Sequence, residues 1–192
     1  NAAVNGDTIY IAPGAYYEKF NLGNKQVTLK SVGGADVTYI DGNGINGTLL
    51  AINGGQTSST VVDGFTFWYA QGGYALYIQN ASPVIRNCRF LFNAVQDGAA
   101  LRIESPSSAE ITDCLVQENT AFATGGGMWT NANPTLTRVE FRNNTANNDG
   151  GAAMMAGGTP RFVDCVFADN RALGGGDHRG GAAYGTNCTN LS

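Results

Sequence analysis

Four segments of this chain repeat one pattern at a nearly constant spacing of 26, 25 and 26 residues. Each segment ends in an asparagine that follows three apolar positions at fixed distances. A fixed period between about 20 and 50 residues indicates stacked units that contact only their neighbours. The sequence therefore predicts a solenoid. The four segments are PVIRNCRFLFN (83–93), AEITDCLVQEN (109–119), PTLTRVEFRNN (134–144) and PRFVDCVFADN (160–170).

The composition favours β strands in these units. Of the 192 residues, 27 are glycine, 14% are charged and 43% are hydrophobic, which is sufficient for a core. The long i, i+3, i+4 apolar pattern of an amphipathic helix does not occur. We therefore expect one all-β domain over 1–192, a parallel β-helix with three short strands and about 25 residues per coil. Residues 1–60 would form less regular first coils, and 60–185 would form regular ones.

Aligned on their last asparagine, the four segments give three apolar columns. Neighbours in a column would lie about 4.8 Å apart, the spacing of hydrogen-bonded parallel strands. An earlier coil supplies Val62, Phe65 and Phe67 at these places, with Ala70 instead of the asparagine. Two residues separate the first column from the second, which predicts a bend between two strands. The columns are Ile85, Ile111, Leu136 and Phe162; Cys88, Cys114, Val139 and Cys165; and Phe90, Val116, Phe141 and Phe167.

The terminal asparagines form a fourth column, Asn93, Asn119, Asn144 and Asn170. Asparagine tolerates the left-handed backbone conformation of a tight turn, and stacked amides can hydrogen-bond from one coil to the next. We interpret this column as a structural ladder without a catalytic role.

A glycine-rich turn and a third strand follow each asparagine, as in GAALRI (98–103) and GGGMWT (125–130). Alternation turns every second side chain of these strands outward. Aromatic rings flanked by amide and charged groups are typical of surfaces that bind sugars, although aromatic residues also simply favour strands. The outward column is Tyr77, Arg102, Trp129, Met154 and Tyr184, beside Gln79, Glu104, Asn131, Ala156 and Thr186. The candidate carbohydrate-binding residues are Tyr77, Arg102, Glu104, Trp129, Asn131 and Tyr184.

Two short motifs carry a family resemblance. F-x-x-N, as in Phe90 to Asn93, together with G-G-A, as in Gly150 to Ala152, resembles the repeats of bacterial polymorphic outer-membrane proteins over roughly residues 60–185. Those proteins and the wider pectate-lyase-like superfamily form right-handed parallel β-helices, so the resemblance implies that fold. The second segment departs from the pattern at Val116. The opening GDTIYIAPGAYYEKFNL (6–22) is similar to the scaffold of the first coils of pectinesterases.

The four cysteines and the single histidine do not form a metal motif. No C-x-x-C spacing occurs, and His178 has no second histidine, so we expect no metal site. Cys88 and Cys114 would be neighbours in one column, where either two buried thiols or a disulfide would fit. Cys188 could pair with a residue outside this sequence.

Charge and hydropathy disfavour two classes of partner. A net charge of −4 argues against nucleic acid, and no run of about 18 apolar residues could span a membrane. Uncapped ends of a β-helix expose unpaired strand edges. We therefore expect either a piece of a longer protein or end-to-end self-association.

Three functions stay open. We favour an extracellular or cell-surface segment with a structural or adhesive role, which binds a polysaccharide or cell-surface glycan or associates with itself. The competing class is a polysaccharide lyase or glycoside hydrolase; a lyase would need a base and a group such as Ca²⁺ to neutralise the uronate. Glu104 has no second carboxylate at the stacked positions, which disfavours an enzyme. We assign no catalytic residue and expect no cofactor. A filament-forming structural subunit is the third reading.

Overall fold

The fold was analysed in a computed structural model that describes residues 3–174 and 180–186. The chain winds through short parallel strands, and no helix occurs in these residues. Each coil adds one strand to each of three long sheets, and each of these three contains seven strands within the described part of the chain. The predicted all-β parallel β-helix is confirmed.

Strands are numbered in chain order. The first sheet contains β1 (Thr8–Ile11), β4 (Thr28–Ser31), β7 (Val61–Asp63), β10 (Val84–Arg86), β14 (Glu110–Thr112), β18 (Thr135–Thr137) and β22 (Arg161–Val163). The second sheet contains β2 (Gly14–Tyr16), β5 (Thr38–Asp41), β8 (Thr66–Trp68), β11 (Arg89–Leu91), β15 (Leu115–Gln117), β19 (Glu140–Arg142) and β23 (Val166–Ala168). The third sheet contains β3 (Phe20–Asn21), β6 (Leu50–Ile52), β9 (Leu76–Gln79), β13 (Leu101–Glu104), β17 (Met128–Thr130), β21 (Ala153–Met155) and β25 (Ala183–Gly185).

A short sheet of two-residue strands adds to the three strands per coil that the sequence predicts. Its strands lie between the second and third sheets, directly after each ladder asparagine. Backbone pairing recurs at this turn in four coils, whose paired residues lie 26, 25 and 26 positions apart. The strands are β12 (Ala94–Val95), β16 (Thr120–Ala121), β20 (Thr145–Ala146) and β24 (Arg171–Ala172).

The apolar columns form the core. Ile85 lies opposite Ile111 in the first sheet, Ile111 lies opposite Leu136, and all three are fully buried. In the second sheet, the rings of Phe141 and Phe167 stack with centroids 5.0 Å apart and planes 2° apart. Like side chains therefore pack on like side chains from coil to coil, and the registers agree with the predicted columns.

Two non-glycine residues in the left-handed conformation bend each of the later coils. The first group lies between the first and second sheets, with φ between 52° and 54°, and consists of Asn87, Asp113, Arg138 and Asp164. The second group lies directly before the asparagine column, with φ between 51° and 56°, and consists of Tyr69, Phe92, Glu118, Asn143 and Asp169. The left-handed residue thus precedes the ladder asparagine, whereas the sequence suggested the asparagine itself. The bend turns the next side chain inward, where its amide is buried.

The buried amides are joined in one direction along the solenoid. Oδ1 of Asn119 accepts hydrogen bonds from the backbone N–H and from Nδ2 of Asn93, at 3.0 and 2.9 Å. Asn144 accepts the same two bonds from Asn119, and Asn170 accepts them from Asn144. Each Nδ2 also donates to a main-chain carbonyl of an earlier coil, such as Asn119 to Phe90 at 2.9 Å. These bonds satisfy polar groups that would otherwise be costly to bury.

The thiols of Cys88, Cys114 and Cys165 are free, so the open choice for the first two is decided in favour of thiols. Sγ of Cys88 lies 3.1 Å from the carbonyl oxygen of Arg86. The side-chain hydrogen bond with Cys88 and then burial raise the pKa of the Cys114 thiol well above its ordinary value. These cysteines act as small apolar core residues. Cys188 and His178 lie outside the described residues.

Candidate functional site

The register of the third sheet brings the predicted outward residues into one column. Tyr77 lies opposite Arg102, Arg102 opposite Trp129, Trp129 opposite Met154, and Met154 opposite Tyr184. Alternation turns these side chains away from the core, because the alternate residues of the same strands, such as Leu76 and Leu101, are fully buried; of the five, only Met154 is itself buried. Gln79 lies opposite Glu104 in the adjacent column.

Arg102 lies at the centre of this surface between two aromatic rings. Its guanidinium carbon is 3.6 Å from the centroid of the Trp129 ring and 5.7 Å from that of Tyr74. Only 15% of the Arg102 side chain is exposed, so the cation–π contact is partly desolvated and strengthened. One face of the Trp129 indole is therefore covered by Arg102.

Glu104 accepts hydrogen bonds from three neighbours. Oε1 accepts from Nε of Arg102 at 2.8 Å, while Oε2 accepts from the Tyr77 hydroxyl at 2.9 Å and from Nε2 of Gln79 at 3.1 Å. Burial, followed by the hydrogen bond to Glu104 and the charge of Glu104, raises the pKa of Tyr77 to about 12. The phenol therefore keeps its proton at neutral pH. We call Tyr74, Tyr77, Arg102, Glu104 and Trp129 the third-sheet cluster.

The third-sheet cluster borders a second carboxylate. Oδ2 of Asp97 lies 3.9 Å from Nη1 of Arg102, and Oδ1 of Asp97 accepts hydrogen bonds from the backbone N–H and hydroxyl of Thr124 at 3.0 and 2.7 Å. Two carboxylates thus surround one guanidinium. The local charge is negative, and Arg102 is already paired.

The other two candidate residues lie at different distances from this cluster. Asn131 follows β17 beside Glu104, and its Oδ1 accepts a hydrogen bond from the backbone N–H of Ser105 at 2.9 Å. Tyr184 is separated from Trp129 by Met154, which is 9% exposed. The structure therefore brings four predicted residues into contact and places Tyr184 two coils from Trp129.

The comparison with protein families matched residues 4–137 to the family described as right handed beta helix region. The chain belongs to this family. The match covers more than half of the sequence and includes the whole third-sheet cluster. Membership of this family implies that the coil is right-handed. The comparison with curated proteins found no match, and neither did the comparison with solved structures.

A groove on the surface of the β-helix was not predicted from the sequence. It has a volume of about 430 Å³ and passes between the third-sheet cluster and the short sheet, with Tyr74, Gln96 and Phe122 among its lining residues. The Tyr74 ring stacks on Tyr77 at 5.7 Å, and 55% of Phe122 is exposed. Tyr74, Asp97 and Phe122 lie in turns, where strand alternation gives no direction for a side chain. The sequence places Tyr74 near this surface only through the turn GGY (72–74), which begins with two glycines like the turn GGG (125–127) and likewise precedes a strand of the third sheet.

In residues 3–174 and 180–186, no three histidine, cysteine or acidic side chains are grouped to hold a metal ion. The same part of the chain has no helix of the length and hydropathy needed to cross a bilayer.

Proposed function

We propose that this β-helix is an extracellular or cell-surface structural segment that binds neutral glycans through the third-sheet cluster. The observation that supports this function is the fixed arrangement of Glu104, Arg102 and Trp129 beside an open groove. Side chains that already hold one another in place lose little conformational entropy when a ligand binds. The hydrogen-bonding groups of these side chains that are not already paired, together with those of Gln79 and Asn131, would bond to sugar hydroxyls.

The charge of the surface supports a neutral ligand. Arg102 is paired with Glu104, and Asp97 adds a second carboxylate. An acidic polymer such as a polyuronate would face repulsion from the unbalanced carboxylate, and it would find no unpaired cation among the outward third-sheet residues that the structure describes. A neutral glycan would meet acceptors for its hydroxyl groups, and its carbon-bound hydrogens would pack on the face of the Trp129 ring that Arg102 leaves uncovered.

A lyase mechanism has less support at this surface. Such an enzyme needs a group that removes a proton near neutral pH, and the catalytic pKa should lie near that pH. With a pKa raised to about 12, Tyr77 would be protonated and would be a poor base. Arg102 would have to leave Glu104 to neutralise a uronate. We therefore propose binding without turnover.

Calorimetric titration with neutral hexasaccharides of glucose, xylose, mannose and N-acetylglucosamine tests this function, with hexagalacturonate as the acidic comparison. We expect one neutral hexasaccharide to bind, and Trp129→Ala and Glu104→Gln to weaken that binding at least tenfold. Tyr10→Ala is the control, because Tyr10 lies on the first sheet and is 68% exposed. Binding of the uronate alone, or release of reducing or unsaturated ends, would replace this proposal with an enzyme.

End-to-end association and a filament role are the alternatives within the structural class. β1, β2 and β3 are edge strands of their sheets in the described chain, and an edge strand offers unpaired backbone groups. Fibres in electron micrographs, together with no binding of any hexasaccharide, would favour these alternatives over glycan binding.

A further inference from the structure

Four aromatic rings contact one another on a different side of the coil, at the corner between the second sheet and the short sheet. Trp68 and Tyr69 have ring centroids 5.3 Å apart, and Tyr69 and Phe92 have centroids 5.7 Å apart in consecutive coils. Tyr39 completes the group at 5.3 Å from Trp68. We call these four residues the corner cluster. None of them belongs to the third-sheet cluster.

The backbone does not explain why aromatic residues occupy this corner. Tyr69 and Phe92 have φ of 53° and 55°, and a bulky side chain rarely adopts this conformation. The same position in the later coils carries Glu118, Asn143 and Asp169. Asparagine and aspartate tolerate left-handed geometry better than aromatic residues do. The two rings therefore occupy a position where polar residues would suit the turn.

Burial does not explain the rings either. Tyr69 is 39% exposed and Phe92 is 36% exposed, so both rings present surface to solvent. Nε1 of Trp68 is buried, and it is the one buried side-chain nitrogen or oxygen in the described chain without a hydrogen-bond partner. A phenylalanine would avoid that unpaired donor. Both observations favour a role for the ring surfaces themselves.

The size and surroundings of the surface indicate its ligand. Tyr69 and Phe92 together expose roughly 150 Å², far less than the 800 Å² or so that each partner contributes to a stable protein interface. Two residues further along the chain from Tyr69 begins a groove of about 260 Å³ that is lined by the amide residues Asn46 and Gln71 and by Gly44. Gln71 follows Tyr69 by two residues and bridges to Asn46 in the preceding coil. An aromatic surface of this size can pack against one pyranose ring, and nearby side-chain amides can hydrogen-bond to its hydroxyl groups.

We propose that the corner cluster binds one sugar ring of a neutral glycan, which packs against Tyr69 and Phe92 while Asn46 and Gln71 bond its hydroxyls. This site does not depend on the third-sheet cluster, because it uses other residues on another face. The two grooves share Gly72, so they adjoin on the surface. A single long glycan that reached both would gain affinity from bivalent contact.

The two tryptophans of the chain allow each site to be measured separately. In the Trp129→Phe protein, Trp68 is the sole indole and reports on the corner cluster, whereas the Trp68→Phe protein reports on the third-sheet cluster. Each protein is titrated with the four neutral hexasaccharides, and tryptophan emission is recorded. We expect a saturable change in Trp68 emission with at least one of them.

Substitutions at the corner then decide whether that change comes from binding there. Tyr69→Asn/Phe92→Asn in the Trp129→Phe background should abolish the Trp68 change, with the fold retained, because Asn143 occupies the same position in a later coil. Urea midpoints and circular dichroism check the fold. Tyr69→Phe/Phe92→Tyr keeps both rings and should keep the emission change within about twofold in affinity.

Two results would overturn the proposal. One is the absence of a saturable Trp68 change at millimolar concentrations of every hexasaccharide. The other is a change that persists in the Tyr69→Asn/Phe92→Asn protein. If that protein does not fold, Phe92→Leu, which removes one ring and keeps an apolar side chain, must weaken binding at least tenfold. A Trp129 response without a Trp68 response would support the proposed function and reject the corner site.

Discussion

The early and the late coils build the same corner in different ways. In the late coils, a buried asparagine such as Asn119 hydrogen-bonds to the next coil, and a polar residue such as Glu118 lies outside it. In the earlier coil, Ala70 takes the place of the asparagine, and the aromatic ring of Tyr69 lies outside. The late corners are therefore joined by amides inside the coil, whereas the early corner combines one such bond, from the Ala70 N–H to Asn93, with rings on its surface.

This difference coincides with a difference in coil length. Paired residues of the first sheet lie 26, 25 and 26 positions apart where the ladder is present, as in Val84 to Glu110. Before the ladder, the corresponding separations are 20, 33 and 23, as in Thr8 to Thr28 and Thr28 to Val61. Each late coil brings two amides into contact and keeps a nearly constant length. The coils before the ladder have no such amide pair and differ widely in length.

The largest effect that we expect concerns the core, which both regions share. Phe141→Ser and Phe67→Ser should each lower the free energy of unfolding by about 4 kcal/mol or more, because a cavity and a polar hydroxyl replace a stacked ring. Urea denaturation followed by circular dichroism measures this loss. Phe122→Ser, at an exposed position, is the control. A loss in only one region would mean that the two regions do not share one core.

The next effect distinguishes the regions. Asn119→Ala should lower the free energy of unfolding by about 3 kcal/mol, since it removes hydrogen bonds to both Asn93 and Asn144 in a buried site. Asn147→Ala, at an exposed position in the following coil, should have almost no effect. An unchanged urea midpoint for Asn119→Ala would show that the ladder is dispensable. It would contradict the claim that asparagine amides hold the late corners together.

A smaller effect belongs to the third-sheet cluster and appears at high pH. Because the pKa of Tyr77 is raised to about 12, its proton is held more tightly in the folded protein than in the unfolded one. The resulting stabilisation is complete below about pH 10 and disappears as the pH rises through 12. The difference in 295 nm absorbance between the wild type and Tyr77→Phe should titrate near pH 12. A midpoint near 10 in the folded protein would contradict the described contact with Glu104.

The smallest effect is expected at an exposed ion pair on the bend between the first and second sheets. The hydrogen bonds from Arg138 lower the pKa of the Asp113 carboxyl. The stabilisation from this pair is present above the unfolded pKa of aspartate and is lost as the pH falls through the lower folded value. Arg138→Gln should raise the pKa of Asp113, as measured by NMR titration of its carboxyl carbon, and leave the urea midpoint unchanged. A clear fall in the midpoint would mean that surface charges stabilise the late coils.

The sequence predicts those features that repeat in every coil. Ile85, Ile111 and Leu136 could be placed in one column because a stacked coil puts like residues at like positions, and the same logic places Arg102 over Trp129. The corner cluster could not be predicted in this way. Tyr69 and Phe92 replace polar residues of the later coils, and Tyr39 contacts Trp68 from a coil whose length differs from the period. Their contact depends on side-chain directions in turns, which spacing does not determine.

The one-way bonding of the asparagines has a consequence for how such a protein changes in size. Each amide in the middle of the ladder accepts hydrogen bonds from the preceding asparagine and donates them to the next one. A duplicated segment such as 94–119 would therefore contain the donors and acceptors needed to pair with the coils on both sides. Insertion of one copy would lengthen the solenoid by about 4.8 Å without leaving a mismatched amide. A partial copy would disrupt the series, so growth by gene duplication is restricted to whole turns.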